Sequence, residues 1–253
     1  MFGRRIPARC LFESTVLTEA LNRALYLIEA RATFGLVHGP DGSGRTVLLR
    51  RLQEILHQRQ VCTVFLNAAV LDADSLLCHI AAALGAQDPS SGRRGELLLK
   101  IRDELSGRGA SGVRTVFLLD DLHRTASDIS AVVQYCTSAC DDLSGMVTVV
   151  AASRTAGNRQ ISDTPTLDIQ LTGLSMEESR DFVAHQLERY RSGGTRPDWS
   201  AIHAVSELAG GIPARLVRLC ELLQVVQEAS PEIPIDQHVV REVARQLIPR
   251  AVA

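Results

Sequence analysis

Residues 34–49 read FGLVHGPDGSGRTVLL, a short apolar run followed by a glycine-rich turn and the start of an amphipathic helix pattern. The turn has the spacing G-x-x-x-x-G-basic-Thr, which is typical of a phosphate-binding P-loop except that Arg45 occupies the usual lysine position. In such a loop, backbone N–H groups and the N-terminus of the following helix surround a phosphate. The stretch therefore predicts a strand, a phosphate-binding loop and a helix, in that order.

The candidate nucleotide-binding residues are those of the loop and the position that follows it. Backbone amides and the Arg45 side chain would contact phosphates, and the Thr46 hydroxyl would bind Mg²⁺. The predicted set comprises Gly39, Pro40, Asp41, Gly42, Ser43, Gly44, Arg45, Thr46 and Val47. The alternative is an ordinary turn between a strand and a helix, which the presence of both flanking elements disfavours.

The composition is that of a globular protein without an overall basic excess. The 253 residues are 45% hydrophobic and carry a formal net charge of −2, which argues against strong non-specific nucleic-acid binding. Lys100 is the only lysine, so an arginine in the P-loop can also reflect the composition of the chain.

Cysteine spacing and the lack of long apolar runs predict a cytoplasmic protein. The six cysteines show no C-x-x-C spacing and are interpreted as reduced, buried thiols. Residues 1–14 lack the apolar core of a signal peptide, and no apolar run approaches the ~18 residues that a membrane span needs.

Apolar, β-rich runs alternate with helical periodicity as far as residue 172. We predict strands at 61–66, 115–121, 146–152 and 167–171, besides the one before the loop. Helices are predicted at 19–32, 47–57, 74–84, 96–106 and 127–139, with Asp72 or Asp74 as a cap, a polar loop at 87–95 and a glycine-rich turn at 107–112. This alternation predicts a parallel sheet with right-handed crossovers.

The pattern becomes purely helical after residue 172. Helices are predicted at 176–191, 198–209, 213–228 and 236–247, with a capping box of Ser175 and Glu178 and with Pro213 in a first turn. We therefore predict two domains, an α/β nucleotide-binding domain over 1–172 and a helical domain over 173–253.

Two adjacent acids, Asp120 and Asp121, follow the apolar run of the third predicted strand. Ligands of open α/β sheets bind at the carboxyl ends of the strands, so these carboxylates are candidates for the chemistry. Asp120 would lie on the metal side and Asp121 would polarise water. A solvated turn is the alternative interpretation.

The order of these parts resembles the AAA+ ATPases. Residues 39–46 resemble their Walker A motif, residues 116–121 their Walker B motif, and the end of the run 147–152 their sensor 1 position. Residues 210–216, GGIPARL, are similar to the G-x-P-x-R element of their lid. More narrowly, residues 174–187 and 210–222 are similar to the ExeA-type general-secretion ATPases, relatives of TnsC-like transposition regulators and of origin-recognition initiators. The resemblance covers roughly residues 17–245.

This resemblance implies a P-loop NTPase with a three-layer core, a parallel sheet and an all-helical lid. ATP and Mg²⁺ would bind between core and lid, with Thr46 and Asp120 holding the metal. Asp121 and Ser153 would take the catalytic positions, and Arg215 would contact the γ-phosphate as sensor 2; the alternative for Arg215 is an exposed helix arginine. The family also implies homo-oligomers in which a neighbour contributes an arginine finger.

Four departures from the family pattern predict weak hydrolysis. Arg45 replaces lysine, and its planar guanidinium cannot make the compact contact of an ammonium group. Asp121 replaces the usual glutamate, which withdraws the carboxylate by one methylene, and Ser153 replaces a longer polar residue. Residues 164–171 contain no arginine for a finger, for which Arg154 and Arg159 are displaced substitutes.

The leading hypothesis is an AAA+ protein that binds ATP or ADP and that assembles, as a homo-oligomer or on a protein partner, when ATP–Mg²⁺ is bound, with weak hydrolysis resetting it. A pseudo-ATPase scaffold is the first alternative. The second is a DNA-associated regulator, which the resemblance to transposition and initiator proteins suggests. Local basic clusters such as Arg50-Arg51 and Arg93-Arg94 favour it, whereas the net charge argues against strong non-specific binding.

Overall fold

The computed structural model describes residues 14–86, 93–122, 131–132, 135, 145–155, 167–189 and 198–247. The chain divides into two compact units, one comprising residues 17–41 and 45–171 and the other residues 1–16, 42–44 and 172–253. Most of the predicted helix at 127–139 and of the predicted loop at 87–95 lies outside the described residues, as does Arg159.

A five-stranded parallel sheet is the centre of the first unit. Its strands are β1 (Phe34–His38), β2 (Cys62–Asn67), β3 (Thr115–Asp120), β4 (Val147–Ser153) and β5 (Leu167–Gln170). The strand order is β2-β3-β4-β1-β5, and every pairing is parallel. Residues of β3 and β4 are buried along the whole strand, as expected where helices cover both faces of a parallel sheet.

The register of the sheet brings the polar ends of its strands to one edge. Asn67 at the end of β2 pairs with Asp120 at the end of β3. On the other side of β4, Ser153 pairs with His38, the last residue of β1. Because all strands run in the same direction, the residues that follow them are delivered to the same carboxyl edge.

Among the described residues, four α-helices accompany the sheet in the sequence: α1 (Thr15–Glu29), α2 (Arg45–Gln58), α3 (Ala73–Ala83) and α4 (Arg94–Ala110). Asp72 is the cap of α3, because its side chain accepts the Ser75 N–H at 2.7 Å. The predicted turn at 107–112 is wrong in its first half, since α4 continues to Ala110 and the left-handed residue is Gly112, at φ 74°. Intrinsic helix propensity penalises Gly107 and Gly109 only modestly, and Leu97, Ile101 and Leu105 give the helix a buried side.

The core of the sheet unit is formed by aliphatic side chains from strands and helices. Leu48, Leu49 and Leu52 of α2 are fully buried, which explains the apolar spacing after the P-loop. A second group joins α3 and α4 to β2, β3 and β4; among its members are Val64, Leu76, Leu77, Ile80, Ile101, Phe117 and Val149.

Four further helices, α5 (Met176–Arg189), α6 (Trp199–Ala209), α7 (Pro213–Ala229) and α8 (Gln237–Leu247), form the second unit's own core. The Ser175–Glu178 capping box is confirmed, with Glu178 N–H donating to Ser175 Oγ at 3.1 Å and Ser175 N–H to Glu178 Oε2 at 3.0 Å. Gly211 has φ 73°, and a Cβ there would lie 2.4 Å from the Leu174 carbonyl oxygen, so the glycine-rich turn after α6 requires glycine.

The predicted α/β fold is therefore confirmed as a parallel sheet with flanking helices, followed by a helical region. Among the described residues, no helix combines the length and the apolar character that crossing a membrane demands. The three described cysteines, Cys62, Cys78 and Cys220, are free thiols, and burial raises the pKa of Cys220 to about 12.

Candidate functional site

The glycine-rich loop lies between β1 and α2, as the sequence predicts. Gly42 and Gly44 have φ values of 83° and 103°, a region that side chains with a Cβ rarely adopt. Such a backbone is what the predicted cradle of successive N–H groups needs. Ser43 between them is buried, whereas Val47, in the first turn of α2, is half-buried and Thr46 is exposed. The Ser43 hydroxyl has no hydrogen-bond partner in the described part of the chain.

The guanidinium of Arg45 is turned back into the loop that precedes it. One terminal nitrogen, Nη1, donates to the carbonyl oxygens of Gly39 and Pro40, the latter at 2.9 Å. The other, Nη2, lies 3.3 Å from Asp41 Oδ1 and 4.0 Å from Asp121 Oδ1. The side chain is only 8% exposed. The positive charge expected at the P-loop is present, but in this conformation the guanidinium binds oxygen atoms of Gly39, Pro40 and Asp41.

Asp120 and Thr46 are brought together at the end of β3. Asp120 is 2% exposed, and the Thr46 side chain lies near its carboxylate. Burial, together with the neighbouring Asp121 carboxylate, raises the pKa of Asp120, while the Thr46 hydroxyl opposes the rise. The Thr46 hydroxyl and the Asp120 carboxylate are the two oxygen ligands that the sequence predicts for the metal.

Asp121 leaves the strand in a left-handed conformation, with φ 56°. Its own N–H donates to Asp120 Oδ1 at 3.0 Å, and the Asn67 side-chain amide donates to Asp121 Oδ2 at 3.3 Å. A non-glycine residue with positive φ is uncommon, and such residues concentrate at functional sites. The turn separates the two carboxylates, because Asp120 remains buried against Thr46 while Asp121 extends towards Arg45.

Asn67 is a site residue that the sequence analysis missed. It ends β2 directly beside Asp120, and its side-chain oxygen accepts the Ala69 N–H at 2.9 Å while its amide reaches Asp121. The sequence does contain an indication of Asn67, because a polar residue that ends an apolar strand lies at the same sheet edge as the acids of the next strand.

Ser153 ends β4 and is completely buried. Its hydroxyl has no hydrogen-bond partner within the described residues. A buried hydroxyl without a partner carries a desolvation cost, which a bound polar ligand or water would remove. The next residue, Arg154, donates from Nη2 to Asp41 Oδ2. That contact joins the end of β4 to the P-loop and was not expected from the sequence.

Arg215 belongs to the helical unit. It is exposed in the first turn of α7, two residues after Pro213. The contacts thus bring Arg45, Thr46, Asp41, Asp120 and Asp121 together within the sheet unit, where the strand pairing also places Ser153 at the same edge.

Comparison with known proteins identifies the kind of domain. A family model described as an AAA domain matches residues 28–156, slightly more than half of the 253 residues. Among curated proteins, none matches the sequence.

Several solved structures are similar to this chain over more than nine tenths of its length. Cdc6p from Pyrobaculum aerophilum has a TM-score of 0.74 and 16% identity, covering 97% of this chain and 69% of that one. The ORC1 protein of Aeropyrum pernix, solved in complex with DNA, has a TM-score of 0.67 and 19% identity over 91% of this chain. The Holliday junction branch migration motor RuvB of Thermotoga maritima has a TM-score of 0.60 and 17% identity, covering 93% of this chain and 70% of that one.

These identities are low, so the similarity shows a shared fold and no more. The chain spans 65% of the length of the ORC1 protein, slightly less than two thirds.

Proposed function

The chain belongs to the AAA domain family of P-loop ATPases (AAA+), and on this premise we propose that it binds ATP with Mg²⁺ at the loop 39–46. The loop amides and Arg45 would bind phosphates, and Thr46 with Asp120 would hold the metal. Asp121 would orient water, Ser153 would contact water or phosphate, and Arg215 would contact the γ-phosphate. ADP would bind the same loop after hydrolysis.

The observation that carries this proposal is the position of the Thr46 side chain, directly after the glycine-rich loop, near the buried Asp120 carboxylate at the end of β3. Mg²⁺ prefers oxygen ligands and usually takes one or two protein groups together with phosphate oxygens and water. Within the described residues, no cluster of three or more His, Cys, Asp or Glu side chains offers an alternative metal site. Bound Mg²⁺ would neutralise charge on the phosphates and would give the ionised Asp120 carboxylate the counter-charge that its buried position otherwise lacks.

The metal site is tested by the Mg²⁺ dependence of ATP affinity in Thr46→Val. This change keeps the shape of the side chain and removes the hydroxyl. We expect wild-type protein to bind ATP more tightly with Mg²⁺ than with EDTA, and the variant to lose most of that difference. Thr63→Val on β2 is the matched control. Full Mg²⁺ dependence in Thr46→Val would contradict the assignment of Thr46.

Nucleotide-dependent assembly is the second part of the proposal. It is inferred for this chain from its membership of the AAA+ family. Size-exclusion chromatography with light scattering, with and without ATP–Mg²⁺, measures it directly. We expect a larger species with ATP–Mg²⁺ than without. An unchanged monomer would favour a scaffold over an assembling ATPase.

A pseudo-ATPase scaffold is a second candidate, and the position of Arg45 favours it. Its guanidinium is hydrogen-bonded to the carbonyl oxygens of Gly39 and Pro40, so part of its capacity to bind phosphate is already used. Measurable ATP turnover by wild-type protein would favour a slow ATPase. ATP binding without turnover would favour the scaffold.

The narrower likeness to ExeA-type and TnsC-like ATPases, a cytoplasmic location and a role on DNA remain proposals. The ORC1 protein, similar in fold, was solved with DNA, but this chain has a net charge of −2. A DNA-retardation assay over a salt series, with and without ATP, tests the DNA role. Binding that weakens steeply with salt would support it, because phosphate contacts release counterions.

A further inference from the structure

One carboxylate in the P-loop holds two arginines at once. Asp41 Oδ1 lies 3.3 Å from Arg45 Nη2, and Asp41 Oδ2 accepts a hydrogen bond from Arg154 Nη2. The first arginine begins α2 and the second follows the end of β4, so the contact joins residues 113 positions apart. The Asp41 carboxylate therefore binds both guanidinium groups in the way that an anionic ligand would.

Phosphate is the other anion that guanidinium groups bind in this manner. Arginine presents several N–H donors in a plane and binds carboxylates and phosphates with the same geometry. A polyphosphate bound by the loop amides would arrive beside Arg45, whose partner Asp41 lies within the loop itself. The phosphate and the Asp41 carboxylate would then compete for the same cations.

The position of Arg154 allows it to release the Asp41 carboxylate and bind a phosphate instead. β4 lies between β3, which carries Asp120 and Asp121, and β1, which leads into the loop. A residue that follows β4 is therefore delivered between the acids and the loop. The side chains of Arg154 and Asp41 are each 56% exposed, and ion pairs as exposed as this one contribute little to stability. A phosphate can displace a carboxylate from such a pair.

We propose that Arg154 is a second phosphate-binding cation of this site, and that Asp41 is a built-in competitor which holds it until a nucleoside triphosphate binds. This inference rests on the proposed function and adds a regulatory role to the same loop. The additional charge of a triphosphate compensates for loss of the Asp41 contacts better than a diphosphate does. The device therefore selects ATP over ADP through Arg154.

The test measures ATP and ADP affinities by calorimetry at saturating Mg²⁺ in the full chain. The variants are Asp41→Asn, Arg154→Gln and the double variant. Asp103→Asn and Arg51→Gln are the matched controls, because they remove the same charges from the same unit at an exposed and a half-exposed position away from the loop. Thermal unfolding without nucleotide checks that each variant is folded.

We expect Asp41→Asn to tighten ATP binding by about tenfold, the equivalent of about 1.4 kcal/mol, and the controls to leave it unchanged. Arg154→Gln should weaken ATP binding by about tenfold and ADP binding by much less. Its effect on ATP should be larger in the Asp41→Asn background, because Arg154 is then no longer held by the carboxylate.

Three outcomes would overturn the inference. Weaker ATP binding in Asp41→Asn would show that the carboxylate organises the loop and does not compete with phosphate. ATP affinity that neither single variant changes would show a plain surface ion pair, while the proposed ATP binding would still stand. Failure of both wild-type protein and Asp41→Asn to bind ATP or ADP would contradict the proposed function as well.

Discussion

Nη2 of Arg45 lies 4.0 Å from Oδ1 of Asp121, so the two residues that depart most clearly from the usual P-loop ATPase pattern lie beside each other. Arginine stands where lysine is usual, and aspartate where glutamate is usual. Arg45 also donates a hydrogen bond to a loop carbonyl oxygen, and Asp121 accepts one from the Asn67 amide. Each member of the pair therefore has a second hydrogen-bond partner that restrains its side chain. The two departures are best understood as one coupled change.

The coupling predicts that the two usual residues must be restored together. We expect Arg45→Lys combined with Asp121→Glu to raise steady-state phosphate release above that of wild-type protein, by up to about 10²-fold if the carboxylate regains its reach. Each single change should give much less, because each leaves one unusual partner in place. Arg51→Lys, at a half-exposed position of α2, is the control.

Wild-type turnover at an ordinary enzymatic rate, about 1–10³ per second, would contradict this account of Arg45 and Asp121. Additive effects of the two single changes would contradict their coupling.

The left-handed backbone of Asp121 predicts a selective response to substitution. We expect Asp121→Val to destabilise the protein by roughly 1–3 kcal/mol, because a β-branched side chain fits a φ of 56° poorly. Asp121→Asn should remain within about 0.5 kcal/mol, since asparagine tolerates this region. Urea unfolding with a common slope measures both. Equal stability of the two variants would indicate that Asp121 is not strained.

The buried carboxylate of Asp120 predicts an unusual pH dependence. Because burial raises its pKa in the folded state above the usual aspartate value of 3.8, ionised Asp120 destabilises the fold. Its unfavourable contribution is therefore absent at pH below about 4 and develops as the pH rises through the folded pKa. We expect Asp120→Asn to raise the melting temperature at pH 7 and to lose this advantage as the pH approaches 4.

Asp103→Asn, which removes a carboxylate that is 76% exposed, is the matched control for Asp120→Asn. A lower melting temperature for Asp120→Asn than for wild-type protein at pH 7 would show that the carboxylate stabilises the fold. The same variant should lose the effect of Mg²⁺ on ATP affinity.

The capping box of α5 predicts a second pH dependence, of opposite sign. The Thr15 hydroxyl and the Ser175 N–H lower the pKa of Glu178 below 4.5, so its contribution to stability is present above that pH and is lost as the pH falls through the folded pKa. Ser175→Ala should cost about 1 kcal/mol at neutral pH, because it removes a cap acceptor.

Glu178→Gln should likewise destabilise at pH 7, and its difference from wild-type protein should vanish in acid. Glu177→Gln removes the same charge one residue earlier and serves as the control. Guanidinium chloride screens such contacts, so urea unfolding at several pH values is the suitable measurement. A difference from wild-type protein that does not change with pH would contradict the role of the Glu178 charge.

Much of the fold could be predicted because its signals are local. The apolar runs and the glycine spacing of residues 34–49 predict β1, the loop and α2, and the run 115–121 predicts β3, which ends one residue earlier, at Asp120. Local signals failed where tertiary packing prevailed: α4 runs through Gly107 because its other residues pack against the core, and the turn begins after Ala110.

The arrangement of the site was harder to predict because its contacts are not local. Asn67 meets Asp121 across 54 positions, and Arg154 meets Asp41 across 113, so only the strand order brings these side chains together. The sequence also does not show that the Arg45 guanidinium is directed at loop carbonyls, since the choice between protein and ligand oxygens depends on the folded loop. The spacing of residues in the sequence predicts which side chains lie at the site, whereas their hydrogen-bond partners are known only from the folded structure.

The central claim is that the loop 39–46 binds ATP with Mg²⁺, and calorimetric titration of the purified chain with ATP at saturating Mg²⁺ tests it most directly. We predict saturable binding to one site per chain, weakened strongly in Arg45→Ala and unchanged in Arg51→Ala. No detectable ATP or ADP binding up to millimolar nucleotide, in a protein that thermal unfolding shows to be folded, would contradict the account.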